Sequence, residues 1–215
     1  MKKTLKRIIM SIPFYHPARN WKVKREQEKA LVEWEHNGRP APPPHIIKQQ
    51  ALRNVANEFG LKILVETGTY RGDMVEAMKN DFDRIYSIEL SKDLYENAKK
   101  RFKGNNKIEL IQGDSGIELK NLINRIDQPT LFWLDGHYSA GVTAKGEKVT
   151  PIFEELTHIF NIPGDKHVII IDDARLFGTD TGYPSLDELK DFIKSRRPDF
   201  NITIRNDGIQ IAARQ

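Results

Sequence analysis

The chain of 215 residues contains no cysteine, so disulfides and thiolate metal sites are excluded and a reducing compartment is the natural setting. No apolar run approaches the roughly 20 residues needed to span a bilayer. The stretch IIMSIPFY is short, is interrupted by Pro13 and lacks a small-residue cleavage site, so no signal peptide is read there. A cytoplasmic protein is expected. Basic charge is scarce beyond the N-terminus. Eight of the 34 Lys and Arg residues precede Glu26, the first acid, whereas the chain carries 30 acids in all. The formal net charge of +4 therefore belongs to an N-terminal arm, the remainder is acidic on balance, and no specific nucleic-acid partner is implied. Internal repeats are lacking, and the only low-complexity tract is RPAPPP, Arg39 to Pro44. It reads as a stiff linker between an arm, residues 1–45, and a domain, residues 46–215.

Within the arm, Leu5, Ile8, Ile9 and Ile12 fall at helical spacing, with Lys2, Lys3, Lys6 and Arg7 elsewhere round the wheel. Two readings stand. One is a short interfacial helix drawn to anionic lipid, at the inner face of a membrane, or to a lipid-linked phosphate. The other is an arm packed on its own domain or on a second subunit of a homo-oligomer. Phe14, Tyr15, Trp21 and Trp34 give it more apolar matter than a disordered tail carries, so it is expected to dock.

What the domain has in abundance is alternation. A helix is expected over Ile47 to Phe59, ended by Gly60. LKILVETGTYRG, Leu61 to Gly72, then reads as strand, glycine turn and helix start, and Met74, Val75 and Met78 share one face of that helix. Gly68 and Gly72 would let the backbone approach a ligand closely. The acid carried by this turn, Glu66, suits a ligand with a positive centre rather than a pyrophosphate. RIYSIEL is a second strand, and Ser91 caps a helix bearing Leu94, Ala98 and Phe102. KIELIQGDS is a third strand before a helix over Gly116 to Ile126, and TLFWLDGHYS a fourth. Pro151 is expected as the first residue of a helix capped by Thr150. HVIIIDDAR is a fifth strand, apolar enough to be buried on both faces. Ser185 and Glu188 have capping-box spacing, with Leu186, Leu189, Phe192 and Ile193 turned inward. NITIRNDGIQIAA closes the chain as a hairpin through Asn206, Asp207 and Gly208.

In open α/β sheets ligands sit at the carboxyl ends of the strands. Glu66, Glu89, Asp114, Asp135, Asp172 and Asp173 all fall there. Any one of them alone could be a loop carboxylate or a helix cap; the series is what suggests a site. Glu89 ends the second strand 17 residues after Gly72, near the offset of a ribose-binding acid. Asp135, Asp172 and Asp173 are hard oxygen ligands suited to Mg²⁺ or a similar divalent cation. His137 could serve as general base or could fix its own loop. Arg175 could bind an anionic substrate or neutralise Asp173. Two long loops, Ser139 to Thr150 and Leu176 to Pro184, leave the same edge and offer hydroxyls and cations to a polar substrate.

The E-x-G-x-x-x-G of Glu66 to Gly72 resembles the first motif of class I S-adenosylmethionine (SAM)-dependent methyltransferases. The closing hairpin resembles their reversed last strand. The resemblance covers Leu61 to Ala213 and implies a Rossmann-like α/β fold: a seven-stranded, mostly parallel sheet with a C-terminal antiparallel hairpin and helices on both faces. It implies cofactor binding by Glu66, Thr67, Gly68, Gly72, Glu89, Asp114, Ser115 and Asp135, with Asp114 and Ser115 at the adenine. The strand-end acids resemble those of divalent-cation-dependent O-methyltransferases of the catechol and macrocin types, which implies metal at Asp135, Asp172 and Asp173. DGHYS also looks like the D-G-x-H-S stretch of the cephalosporin-hydroxylase-like branch, shortened by one residue. Catechol-type enzymes place a lysine base soon after the strand-four Asp, where this chain has Tyr138 and Ser139, with Lys145 further along. Asp135 and His137 are the catalytic candidates. The expected reaction is O-methylation of a polar, sugar-like or phenolic small molecule or glycan. Two other classes stay open: a metal-dependent glycosyl or nucleotidyl transferase, and a non-catalytic binding module that retains the cofactor fold.

Overall fold

Seven strands form one sheet in the order β3-β2-β1-β4-β5-β7-β6. The computed structural model describes residues 15–136, 150–164 and 166–214, with side chains from Arg25 onward. The amphipathic stretch of Leu5 to Ile12 lies outside the described residues, as do His137, Tyr138, Ser139, Lys145 and most of the loop before Thr150.

The elements in chain order are α1 (Tyr15–His36), α2 (His45–Phe59), β1 (Ile63–Thr67), α3 (Asp73–Met78), β2 (Arg84–Glu89) and α4 (Lys92–Arg101). They continue as β3 (Ile108–Gln112), α5 (Ser115–Leu122), β4 (Thr130–Leu134), α6 (Ile152–Phe160), β5 (Val168–Ile171), α7 (Leu186–Arg196), β6 (Phe200–Arg205) and β7 (Gly208–Ala213). Strands β1 to β5 are parallel, and β7 runs antiparallel between β5 and β6. Asn206 and Asp207 both take positive φ, at 49° and 64°, as a two-residue hairpin turn with right-handed strand twist requires.

The period-2 alternation of each strand feeds two separate cores. Ile63, Val65, Phe132, Leu134, Ile169 and Ile171 face α5, α6 and α7 through Leu119, Leu156, Leu189 and Ile193. Leu64, Ile85, Leu131, Trp133 and Ile170 face α2, α3 and α4 through Leu52, Val75, Met78 and Phe102. Trp133 is thus core, not a platform for ligand. No helix among the described residues is long and apolar enough to cross a membrane.

Several boundaries differ from the sequence reading. Helix α6 begins at Ile152 with Pro151 at the capping position and no side-chain cap, so Thr150 does not cap it. The helix expected over Gly116 to Ile126 is α5 followed by a 3₁₀ turn, Ile123–Arg125. Strand β4 stops at Leu134, short of the acid. Helix α1 is an addition to the expected elements; its sequence shows no apolar stripe. Its Trp34 is 9% exposed and donates Nε1–H to the Pro40 carbonyl at 2.6 Å, so the proline stretch folds back on the helix.

Candidate functional site

The strand order reverses between β1 and β4, and the crevice outside their carboxyl ends holds the candidate site. The first wall is the turn after β1. A Cβ added at Gly68 would lie 2.6 Å from the Asp135 carbonyl oxygen, and φ there is +87°, so only glycine lets this turn close over the end of β4. Gly72 is required for a different reason from the one expected. Its Cβ would strike the Phe102 ring at 2.6 Å, so the missing side chain makes room for packing of α4.

Glu66 needs a correction too. It lies within β1, not in the turn, and is 2% exposed. Its register partner on β2 is Ser87, whose hydroxyl donates to Glu66 Oε2 and stands 2.6 Å from Thr69 Oγ1. The acid is thereby tied beneath the glycine turn and does not line the crevice. Thr67, fully buried, turns to the opposite face, where its Oγ1 approaches Gly136.

Glu89, Asp114 and Ser115 do line a common pocket, together with Gly68, Ile88, Leu90, Gly113, Gly136 and Pro151. The space among them, counted with its open mouth to solvent, is about 380 Å³. Each Glu89 oxygen accepts one backbone N–H, Oε2 from Tyr70 at 2.7 Å and Oε1 from Ser91 at 2.8 Å. A carboxylate oxygen has two lone pairs, so each keeps capacity for a ligand hydroxyl. Asp114 is the cap of α5, accepting from Gly116 N at 2.8 Å, and so is both a helix cap and a pocket wall. Leu90, half exposed, supplies an apolar wall that the sequence reading passed over.

The acids just past β4 and β5 line an adjoining pocket. One oxygen from each of Asp135, Asp172 and Asp173 lies within 4.8 Å of the others. Gly136, Glu155 and Tyr183 line it too, with the apolar Leu134, Ile152 and Ile171. Asp173 takes a left-handed φ of 57°, which turns the chain sharply after β5. Arg175 neutralises it: Nη1 is 2.7 Å from Asp173 Oδ1 and also donates to Asp207 in the hairpin turn. Burial and then Asp172 push Asp135 up to about 8.

Lys48, from the first turn of α2, donates to Asp172 Oδ2 and lies 3.4 Å from Asp173 Oδ1. Burial is the largest influence and works against its charge, but Asp172, Asp173 and Asp135 together hold the ammonium above its ordinary value. No motif points to Lys48. Glu155 was missed as well. It is 1% exposed, and its Oε1 has no hydrogen-bond partner among the described residues. A Cβ at Gly136 would meet Thr67 Oγ1 at 3.1 Å and both Glu155 Oε1 and Ser115 Oγ at 3.4 Å, so three side-chain oxygens converge where the two pockets join. A signal was available: α6 is strongly two-faced, and Glu155 stands one residue before its core residue Leu156.

Burial pushes Glu66 up to about 8 against the opposing Ser87 hydrogen bond, and Glu155 up to about 7 against the Ser115 and Thr67 hydroxyls. In the folded protein both carboxyls hold protons that the unfolded chain releases near 4.5. Their contribution to stability is full below that value and is lost as pH rises through about 7 and 8. The midpoint of thermal unfolding should therefore fall as pH is raised across this window, and Glu66→Gln should flatten the fall. A variant profile as steep as the wild type's would remove Glu66 as its source.

No protein-family model matches the chain, and no curated protein does. Solved structures match along most of it. SAH-bound methyltransferase PaMTH1 of Podospora anserina is 18% identical with a TM-score of 0.59, over 95% of this chain and 98% of that one. An O-methyltransferase from Bacillus cereus in complex with SAH is 15% identical with a TM-score of 0.58, over 88% and 90%. The O-methyltransferase TomG of Streptomyces achromogenes, involved in tomaymycin synthesis and bound to SAM, is 18% identical with a TM-score of 0.55, over 87% and 88%.

Proposed function

We propose that this chain, which has the fold of the class I SAM-dependent methyltransferases, is an enzyme that transfers a methyl group from SAM to an oxygen of a polar acceptor. The observation that carries this is the pair of pockets joined at Gly136, one built around Glu89 and Asp114, the other around three strand-end carboxylates. The first fits an adenosyl group. Glu89, with one backbone N–H on each oxygen, can take both ribose hydroxyls. Ile88 and Leu90 offer apolar walls to a base, and Asp114 and Ser115, in the same pocket, would bind its amino group. SAM, when bound, supplies a sulfonium-activated methyl. An acceptor held by the carboxylates beyond Gly136 would meet that methyl from the adjoining pocket, as in-line displacement requires. Transfer would form the O–CH₃ bond as the S–CH₃ bond breaks, with the electron pair left on sulfur and the hydroxyl proton passed to a base.

The acid cluster fits a hard divalent cation: all donors are carboxylate oxygens, and Asp172 Oδ1 is buried without a hydrogen-bond partner among the described residues. Such a cation would lower the pKa of an acceptor hydroxyl. Asp135, Asp172 and Asp173 would hold it, with Tyr183 beside them. Burial, followed by the field of Asp173 and Asp135, raises the Tyr183 phenol, which therefore stays a neutral hydrogen-bonding group. The acceptor class proposed is sugar-like or phenolic, free or part of a glycan. Peripheral contact of Lys2, Lys3, Lys6 and Arg7 with an anionic surface would suit a lipid-linked acceptor.

Calorimetric titration with SAM in the presence of Mg²⁺, beside a parallel titration with nucleotide sugars, tests the reading. Micromolar SAM binding is expected. Preference for a nucleotide sugar would overturn it in favour of glycosyl transfer.

A further inference from the structure

The strand-end acids already have a cation of their own. Lys48 comes from α2, 124 residues before Asp172, and lies outside the stretch that carries the cofactor motifs. Its side chain is 14% exposed and that of Asp172 only 3%, so the pair is shielded from water. The ammonium reaches Asp172 Oδ2 and Asp173 Oδ1, two of the three acids whose oxygens lie within 4.8 Å of one another. A space of that size suits one cation. A second placed on the same oxygens would face a like charge within a few ångström, in surroundings that screen poorly. Yet among the described residues the ion pair leaves Asp172 Oδ1 without a hydrogen-bond partner, so Lys48 does not use all the acceptor capacity of the site.

We propose that Lys48 is the built-in counter-ion of the Asp135, Asp172 and Asp173 cluster, and that a divalent cation enters this site by displacing it. This rests on the cation reading given above. Cation affinity is then set by competition, and cation entry frees the first turn of α2. That turn has no side-chain cap, its preceding residue being Pro44, so its polar tie to the acids at the sheet edge runs through Lys48. Further along α2, Arg53 stays anchored to Asp81 and to the Ala77 carbonyl, which confines the release to the first turn.

The probe is Mn²⁺, titrated against the full-length protein, with free ion read by electron paramagnetic resonance. Lys48→Met should bind Mn²⁺ at least tenfold more tightly than wild type. Arg53→Met, the same charge change on the same helix away from the cluster, should leave affinity as it was. Equal affinity in Lys48→Met and wild type, or equal tightening in Arg53→Met, overturns the proposal and leaves the cation reading standing. Binding by none of the three proteins overturns both. Should Lys48→Met fail to fold, amide hydrogen exchange of wild type decides: Mn²⁺ must accelerate exchange across residues 45–49, and unchanged exchange overturns the proposal.

Discussion

Glu89→Ala is expected to weaken SAM binding about a thousandfold. Hydrogen bonds to a charged group contribute roughly 1.5–3 kcal/mol each, and Glu89 is placed to make two with a ribose diol. Each 1.4 kcal/mol is about a factor of ten in affinity, which puts the loss at about three decades. Truncation does more than remove these bonds. The N–H groups of Tyr70 and Ser91 lose their acceptors, so the turn after β1 and the start of α4 lose a shared anchor. Glu89→Gln separates the two effects. The amide oxygen can still accept from one N–H, so the loop should hold while affinity falls by a smaller factor, because a neutral acceptor is weaker. Calorimetry on both variants, with thermal unfolding as a check on folding, measures this. Full affinity in folded Glu89→Ala would place the ribose elsewhere.

The second large effect is expected at Asp172. Asp172→Asn should lower methyl transfer about a hundred- to a thousandfold, read as SAH released per unit time on any acceptor found in a screen of sugars and phenols. Lewis-acid stabilisation supplies several kcal/mol to such a transition state, at about 1.36 kcal/mol per decade of rate. SAM affinity should change little, because Asp172 lines the acid pocket and not the one around Glu89. Asparagine is chosen over alanine because Lys48 would otherwise lose its shorter contact in a shielded place, and breaking one partner of a buried ion pair costs about 3–5 kcal/mol. The amide of the variant can still accept from Lys48, which also keeps its contact with Asp173. A variant that turns over normally would show that the carboxylate has no part in the chemistry.

The series of strand-end acids was legible because strand, turn and helix signals bracket each of them, and the reversed hairpin was legible from Asn206 and Asp207. What escaped the sequence reading did so for physical reasons. Lys48 acts through a contact closed only when α2 folds across the sheet, and nothing local marks it off from other surface lysines. Glu155 reads as an ordinary helix acid until α6 is laid on the sheet, where it becomes one of the most buried acids among the described residues. Glu66 resembles a turn residue in the sequence because it stands only two residues before Gly68. Only its register against Ser87 shows that it is sealed inside β1. Helix α1 escaped because its sequence carries no stripe to mark a buried face.

The reversed strand has a consequence for the order in which the site is built. Because β6 runs parallel to β1–β5, the turn after it emerges at the same edge as the acid pair. There the Asp207 carbonyl accepts from Ala174 N at 2.8 Å, and its carboxylate holds Arg175. A nascent chain that stops before Asn206 would have β5 as a bare apolar edge, open to pairing with other chains, and an acid pair with no clamp. The acid pair is thus clamped only once the hairpin has been made, and a chain cut short at the hairpin would fail in chemistry and in solubility together.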